Sequence, residues 1–256
     1  RRVGFYGIDV YGLEGSMRET LAYFEQIGDE EALEAARGAY ACLEFHLPPQ
    51  RYAQAAMAGA ANCEAPIAEG TDYLRQQENA LRARDENAWF NAKQHALVVQ
   101  NAERHYRAMA LPGGESWNFR VAHFKHTVER LMAFYGDDAK GIVWAHNTHI
   151  GDARATPMAQ AGRANIGQLL REKHGEEAVF AVGFGTHRGV VLAGSAWEAP
   201  MERMTVPPAM PHSFEDMLYR IGRNRLLHIF EEKDRTGPLA LELGHRAIGV
   251  VYNPAR

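Results

Sequence analysis

The feature that most restricts the fold is a change of rhythm near residue 140. Before it, from Ser16 to Tyr135, apolar side chains return at helical spacing; after it come short apolar runs, several of them ending in polar loops. In the first part Leu21, Phe24 and Ile27, then Leu33, Ala36, Tyr40 and Leu43, mark the apolar faces of successive helices, broken at Gly28-Asp29 and Pro48-Pro49. Three helices are expected up to about Thr71. A second long pattern runs from about Asp72 to Ala110, with Phe90, Leu97, Val98, Asn101 and His105 along one side, and Leu111-Pro112-Gly113-Gly114 stops it. Ser116 is placed to cap a further helix that carries Phe119 to Tyr135.

The short runs read as strands. Val3–Val10 is apolar, rich in β-branched and aromatic residues, and delivers Asp9 to its C-terminal end. Gly141–Ala145 is followed at once by His146-Asn147-Thr148-His149. Ala178–Val182 follows a helix at Asn165–His174 and leads into Gly183-Phe184-Gly185-Thr186-His187-Arg188-Gly189, and Val190–Ala193 continues as an antiparallel strand. Ser213-Phe214-Glu215-Asp216 opens a short helix with a capping-box pattern, and Ala247–Tyr252 supplies a last strand. Strands alternating with helices predict an α/β fold, a mostly parallel central sheet with a large helical share, as a single domain over residues 1–256. Ligands of such sheets bind beyond the carboxyl ends of the strands, where Asp9, His146, His149 and His187 all fall. The chain opens on Arg1 with a buried strand close behind, so a preceding segment is expected.

The charge balance narrows the partners. With 28 basic and 32 acidic side chains the formal charge is −4, which leaves no polybasic footprint for nucleic acid or an anionic membrane. No apolar stretch is long enough to span a bilayer, and a signal-peptide core is lacking. A soluble, cytoplasmic protein whose partner is a small molecule or another protein is expected. Cys42 and Cys63 stand far apart in helical surroundings and read as two lone buried thiols, in keeping with a reducing compartment.

Two His-x-x-His pairs stand out among the 12 histidines. His123 and His126 sit on the expected helix with Arg120, which one turn places on the same face as His123; a solvated helix surface accounts for them. His146 and His149 directly follow a buried run and are better placed for chemistry. Two imidazoles there can bind a metal, given a further ligand and an open position. They can also work without one, taking a proton from water and polarising a substrate. Asp152 is the nearest carboxylate. Neither a His-Glu-x-x-His helix nor a Gly-x-Ser-x-Gly elbow is present. Gly183–Gly189 lacks the spacing of a nucleotide-binding loop and reads as a tight turn in which His187 can line a pocket.

Several segments taken together resemble the erythromycin esterase family: Val-Gly-Phe-Tyr-Gly-Ile-Asp-Val-Tyr at 3–11, Gln-Asn-Ala-Glu-Arg-His-Tyr-Arg-Ala-Met at 100–109, Ser-Trp-Asn-Phe-Arg at 116–120, Trp-Ala-His-Asn-Thr-His-Ile-Gly-Asp-Ala-Arg at 144–154 and Arg-Ala-Ile-Gly-Val-Val-Tyr at 246–252. The resemblance implies an α/β fold with a deep cleft and hydrolysis of an ester by water activated without a covalent serine. In the best-known members the ester is the macrolactone of erythromycin-type antibiotics, whence antibiotic resistance. It also implies catalytic roles for His146, His149 and Arg120. Asp9, Asn147 and His187 are assigned to the substrate, and with two histidines in one loop, no third nitrogen or sulfur ligand at a standard spacing and Asp152 the only near carboxylate, no metal or other cofactor is expected. Val121 stands where many relatives carry Asp. A His-Gly-Thr motif with the family's general base is expected to precede Arg1. A metal-dependent hydrolase using the same histidines, and a non-catalytic protein that binds a small ligand, are the alternatives.

Overall fold

The computed structural model describes residues 3–109, 111, 115–223 and 225–254. Of these, 56% are helical. In chain order the helices are α1 (Leu13–Ile27), α2 (Glu30–Glu44), α3 (Pro49–Met57), α4 (Glu64–Gln76), α5 (Glu78–Arg84), α6 (Glu86–Ala108), α7 (Glu115–Tyr135), α8 (Asn147–Ile150), α9 (Ile166–His174) and α10 (Phe214–Tyr219); the strands are β1 (Gly189–Ala193) and β2 (Glu202–Val206).

Local chemistry explains the helix boundaries. Gly28 ends α1 in the left-handed region, φ 71°, which costs a glycine little. Asp29 then caps α2 by accepting from Ala32 N, and Asp85 caps α6 by accepting from Ala88 N. Pro49 occupies the first turn of α3, where no amide donor is needed. Where three helices were expected before Thr71 there are four, because the chain also breaks between Met57 and Glu64, with Gly59 at φ 67°. The stop expected at 112–114 lies outside the described residues.

The chain divides into two compact units, residues 1–144 with 149–180 and residues 145–148 with 181–256. In the first, long α6 is the hub against which α1, α3, α4, α5 and α7 pack. Its core is two clusters, one around Val10, Leu13, Tyr52, Ile67 and Val99, the other around Phe24, Leu33, Leu74, Trp89 and Phe90. Burial of Tyr52 is made possible by its hydroxyl, which donates to the buried Glu103 at 2.6 Å and accepts from Cys63 N. In the second unit β1 and β2 form an antiparallel ladder from Gly189↔Val206 to Ala193↔Glu202, and Gly194 makes a parallel bridge to Val251.

Two expectations are overturned. Among the described residues the central parallel sheet is not formed: the strands are the antiparallel pair β1–β2, and Val3–Val10, Gly141–Ala145, Ala178–Val182 and Ala247–Tyr252 are not strands. An apolar run shows that a segment could enter a sheet, but a strand exists only where a second segment meets it in register. Ile142 and Trp144 are instead 94% and 97% exposed. The lone thiols are also corrected. Cys42, near the end of α2, and Cys63, the residue before α4, form a disulfide with their Cα atoms 5.8 Å apart. The packing of α2 on α4 brings them together across α3, which their sequence separation does not reveal, and the lone-thiol argument for a reducing compartment goes with it. Among the described residues, no helix is long and apolar enough to cross a membrane.

Candidate active site

In the helical unit the site is built on Arg120, one turn and a half into α7. Its Nε donates to Asp9 Oδ1 at 2.8 Å and its Nη2 to Asp9 Oδ2 at 2.5 Å, a fork-on-carboxylate pair that fixes the guanidinium plane. The side chain is 13% exposed. Tyr11 lies against the guanidinium with its ring centre at 4.3 Å, Phe124 at 5.0 Å and Trp117 at 5.9 Å. Burial opposes the charge of Arg120, but the hydrogen bonds and charge of Asp9 outweigh it and hold the group fully protonated. Asp9 and Arg120, expected in one site from opposite ends of this unit's sequence, do meet. The Val121 side chain, in place of an acid, is buried in the core; Asp9 sets the orientation of Arg120 instead.

His149 belongs to the same unit. Its ring stacks on Trp117, centres 5.3 Å apart and planes within 11°, and takes the edge of Phe124 at 5.8 Å. Trp117 is itself pinned by its indole N–H, which donates to Ala164 O at 2.6 Å. Beside it, Asn118 bonds Gly162 O and Ala164 N, lacing the 150–165 loop onto the first turn of α7. The stretch just after His149 is held by Arg171, which donates to the carbonyls of Ile150 and Gly151. It also lies so near Gly167 that a Cβ there would collide with both carbonyl oxygens. His105 of α6 closes the cluster: its Nδ1 is 2.9 Å from the carbonyl of Ser116 and therefore carries the proton, and its ring meets the edge of Tyr11. Burial first, and the charge of Arg120 after it, keep His105 below the ordinary imidazole value, against the opposing pull of Ser116 and Asp9.

The remaining expected residues lie in the other unit. His146 has both ring nitrogens engaged: Nε2 is 2.7 Å from Ile248 O and so donates, and Nδ1 accepts from Thr148 N at 3.2 Å. Asn147 is clamped to the backbone of Phe184 through both amide atoms. His187 stacks on Tyr219 at 3.9 Å with planes within 10°. A feature that the sequence reading missed is the pairing of His245 with Glu215, 2.8 Å apart. Neither belongs to a His-x-x-His pair, and no spacing signal joins them. Asp152, the expected nearby carboxylate, is consumed by Arg154, whose hydrogen bonds hold it below the usual carboxylate range. Among the described residues no three His, Cys, Asp or Glu side chains are grouped as a metal ion would require. Of the second histidine pair, His126 is exposed as expected of a solvated helix surface, whereas His123 is buried.

A profile described as erythromycin esterase matches residues 1–256, the whole length of the sequence. The chain belongs to the erythromycin esterase family. It is thus a hydrolase of that family, and the clustered Asp9, Arg120 and His149 come from the segments that carry the family resemblance. No solved structure matches this erythromycin esterase family member.

Proposed function

We propose that this protein hydrolyses a carboxylic ester of the macrolactone type by direct attack of water, with no covalent serine intermediate. Arg120 and His149 receive the carbonyl oxygen as it becomes an oxyanion. The observation that carries the reading is the state of Arg120: with Nε and Nη2 bonded to Asp9, Nη1 is without a partner among the described residues. A guanidinium locked by two bonds and aromatic rings presents its third nitrogen without reorganisation as charge develops, which is how preorganised donors lower a barrier. In this reading Asp9 acts through Arg120, and in the other unit His146 is held by Ile248 O and Thr148 N.

The test is incubation with erythromycin in H₂¹⁸O. Ring opening with a single ¹⁸O in the new carboxylate, and no burst of product at the level of one equivalent of enzyme, is expected. An acyl-enzyme seen by mass spectrometry would replace water attack with nucleophilic catalysis. A macrolide that binds and remains intact would leave a binding protein.

A further inference from the structure

We propose that a cavity lined by α5, α6 and α7 is a binding site for a small aromatic carboxylate, held by Arg130 against the rings of Trp89 and Phe134. The cavity lies wholly within the helical unit, and its lining includes Arg82 of α5, Trp89, Lys93 and Gln94 of α6, and Arg130 and Phe134 of α7. It does not depend on the ester-hydrolase reading: at ~1.5 Å per residue, Arg130 stands about 15 Å along α7 from Arg120.

Arg130 is a charge without a counter-charge. Its Nε donates to Gln94 Oε1 at 2.9 Å and its Nη2 to Thr127 Oγ1 at 2.8 Å, both neutral acceptors, and among the described residues no carboxylate pairs with it. Glu129, its neighbour in sequence, pairs with Lys125 at 3.1 Å instead. The other two cations of the lining are answered: Arg82 pairs with Glu78 and Glu86, and Lys93 with Glu78. One positive charge is left over, at Arg130. Burial opposes that charge and lowers Arg130 from the ordinary arginine value, with Glu129 pulling the other way. The Nε–Nη2 edge of the guanidinium is used, which leaves Nη1 and the second hydrogen of Nη2, the edge that forks end-on onto a carboxylate. Gln94 repeats the shortage of acceptors. Since its Oε1 accepts from Arg130, the amide cannot flip, and its Nε2 is buried with no partner among the described residues. Donors without acceptors beside a charge without its opposite are what a bound anion corrects, whereas a helix seam kept for stability alone satisfies such groups internally.

The rest of the lining selects an aromatic body. Trp89 is 3% exposed and its indole N–H is spent on Leu74 O at 3.2 Å, so its contribution to the cavity is apolar ring and not a donor. Lys93 Nζ lies 4.6 Å and Arg82 Cζ 5.3 Å from the centre of that ring. Phe134 is stacked on Phe90, centres 3.9 Å apart and planes within 13°, which fixes a second flat surface. The cavity measures about 210 Å³, below the ~300 Å³ from which drug-sized ligands are held. One ring and its carboxylate suit that space; a macrolactone does not. A phosphate would leave the rings without a partner, and a dianion exceeds the single charge left over.

Calorimetric titration of the full chain with sodium benzoate tests this, beside benzamide, the neutral counterpart, and inorganic phosphate, an anion without a ring. Benzoate is expected to bind at a single site with Kd of ~1 mM or below. It should bind about tenfold or more tighter than the other two, the worth of a charge-assisted hydrogen bond. NMR of the ¹⁵N-labelled protein should place the ligand by shifts at the Trp89 indole N–H and the Arg130 Nε–H. Arg130→Gln should abolish the preference for benzoate over benzamide. Because Arg130 also ties α6 to α7, a second variant leaves every polar bond in place: Ala133, exposed and part of the lining, becomes a plug in Ala133→Trp. That change should weaken benzoate about tenfold or more with the melting temperature nearly unchanged. Equal binding of benzoate and benzamide, or wild-type affinity for benzoate in Ala133→Trp, overturns the proposal. Phosphate binding more tightly than benzoate overturns the aromatic ligand in favour of a simple ion. Absence of both heat and shifts at ~10 mM benzoate overturns the site outright.

Discussion

Arg120 differs from an ordinary buried ion pair in the geometry left over after pairing. Two of its nitrogens face Asp9 and the rings of Tyr11, Phe124 and Trp117 hold its plane. A lysine would keep the charge, yet a single ammonium cannot make the fork and still offer a donor in a fixed direction. Arg120→Lys should therefore lower kcat/KM for ester hydrolysis by about 10²-fold, the order seen when one preorganised oxyanion donor is removed, with only a small change in thermal unfolding. Kinetics and melting curves measured on the same preparations check it; parallel losses would make Arg120 structural. At this scale the sequence was partly legible. Asp9, Arg120 and His149 stand in segments where the end of an apolar run or a family motif draws attention to them. Trp117 and Tyr11 lie in the same segments, but their roles were not legible, since an aromatic residue looks the same in sequence whether it fills a core or supports a catalytic ring. Glu215 and His245 are joined by tertiary folding alone, and nothing local to either marks the other.

Helices α6 and α7 meet along a polar seam that their apolar periodicity hides. Arg130 donates from Nε to Gln94 Oε1 at 2.9 Å and from Nη2 to Thr127 Oγ1 at 2.8 Å, and the Thr127 hydroxyl faces His123 Nε2 at 3.4 Å. Nδ1 of His123, on the other side of the ring, is buried with no partner among the described residues. Burial first, then the charge of Arg130, lowers His123 to about 4 from an ordinary 6.5, with His126 adding to the shift and Asp9 opposing it. The native state thus binds fewer protons than the unfolded chain between these values. The stability that follows is complete above pH 6.5 and is lost as pH falls toward 4, by about 3 kcal/mol in all. Denaturant unfolding at a series of pH values should show this slope, and His123→Gln should flatten it by a comparable amount. An unchanged slope would place the proton uptake on other histidines; burial also lowers His95, His105 and His126. Helices were the legible elements because periodicity, an aspartate cap and a glycine stop lie within one short window of sequence. The sheet was not, because each apolar run reports its own hydrophobicity and not whether a partner strand meets it.

At the scale of the whole molecule, the division into two units was hidden because no linker of distinctive composition marks it. The four residues 145–148 group with 181–256, while their neighbours on both sides group with the helical unit. The two units are also stabilised differently. The helical unit buries large apolar side chains in two clusters around α6 and has the Cys42–Cys63 bond. In the other unit the regular elements are short, and Phe184, Leu192, Leu227, Phe230 and Leu241 are exposed. Local opening is easiest where few apolar contacts must be broken, so brief chymotrypsin treatment under native conditions should cut first after residues such as Phe184, Leu227, Phe230 and Leu241. Helices α1 to α6 should stay intact at the same time points, leaving a resistant N-terminal fragment identifiable by mass spectrometry. Reducing agent is a useful second arm, because opening the Cys42–Cys63 link restores the chain entropy of that loop in the unfolded state. It should shorten the lifetime of the helical fragment while leaving the first cuts in place. First cuts inside α6, at Phe90 or Tyr106, would mean that the helical unit is the less stable of the two and would reverse this ordering.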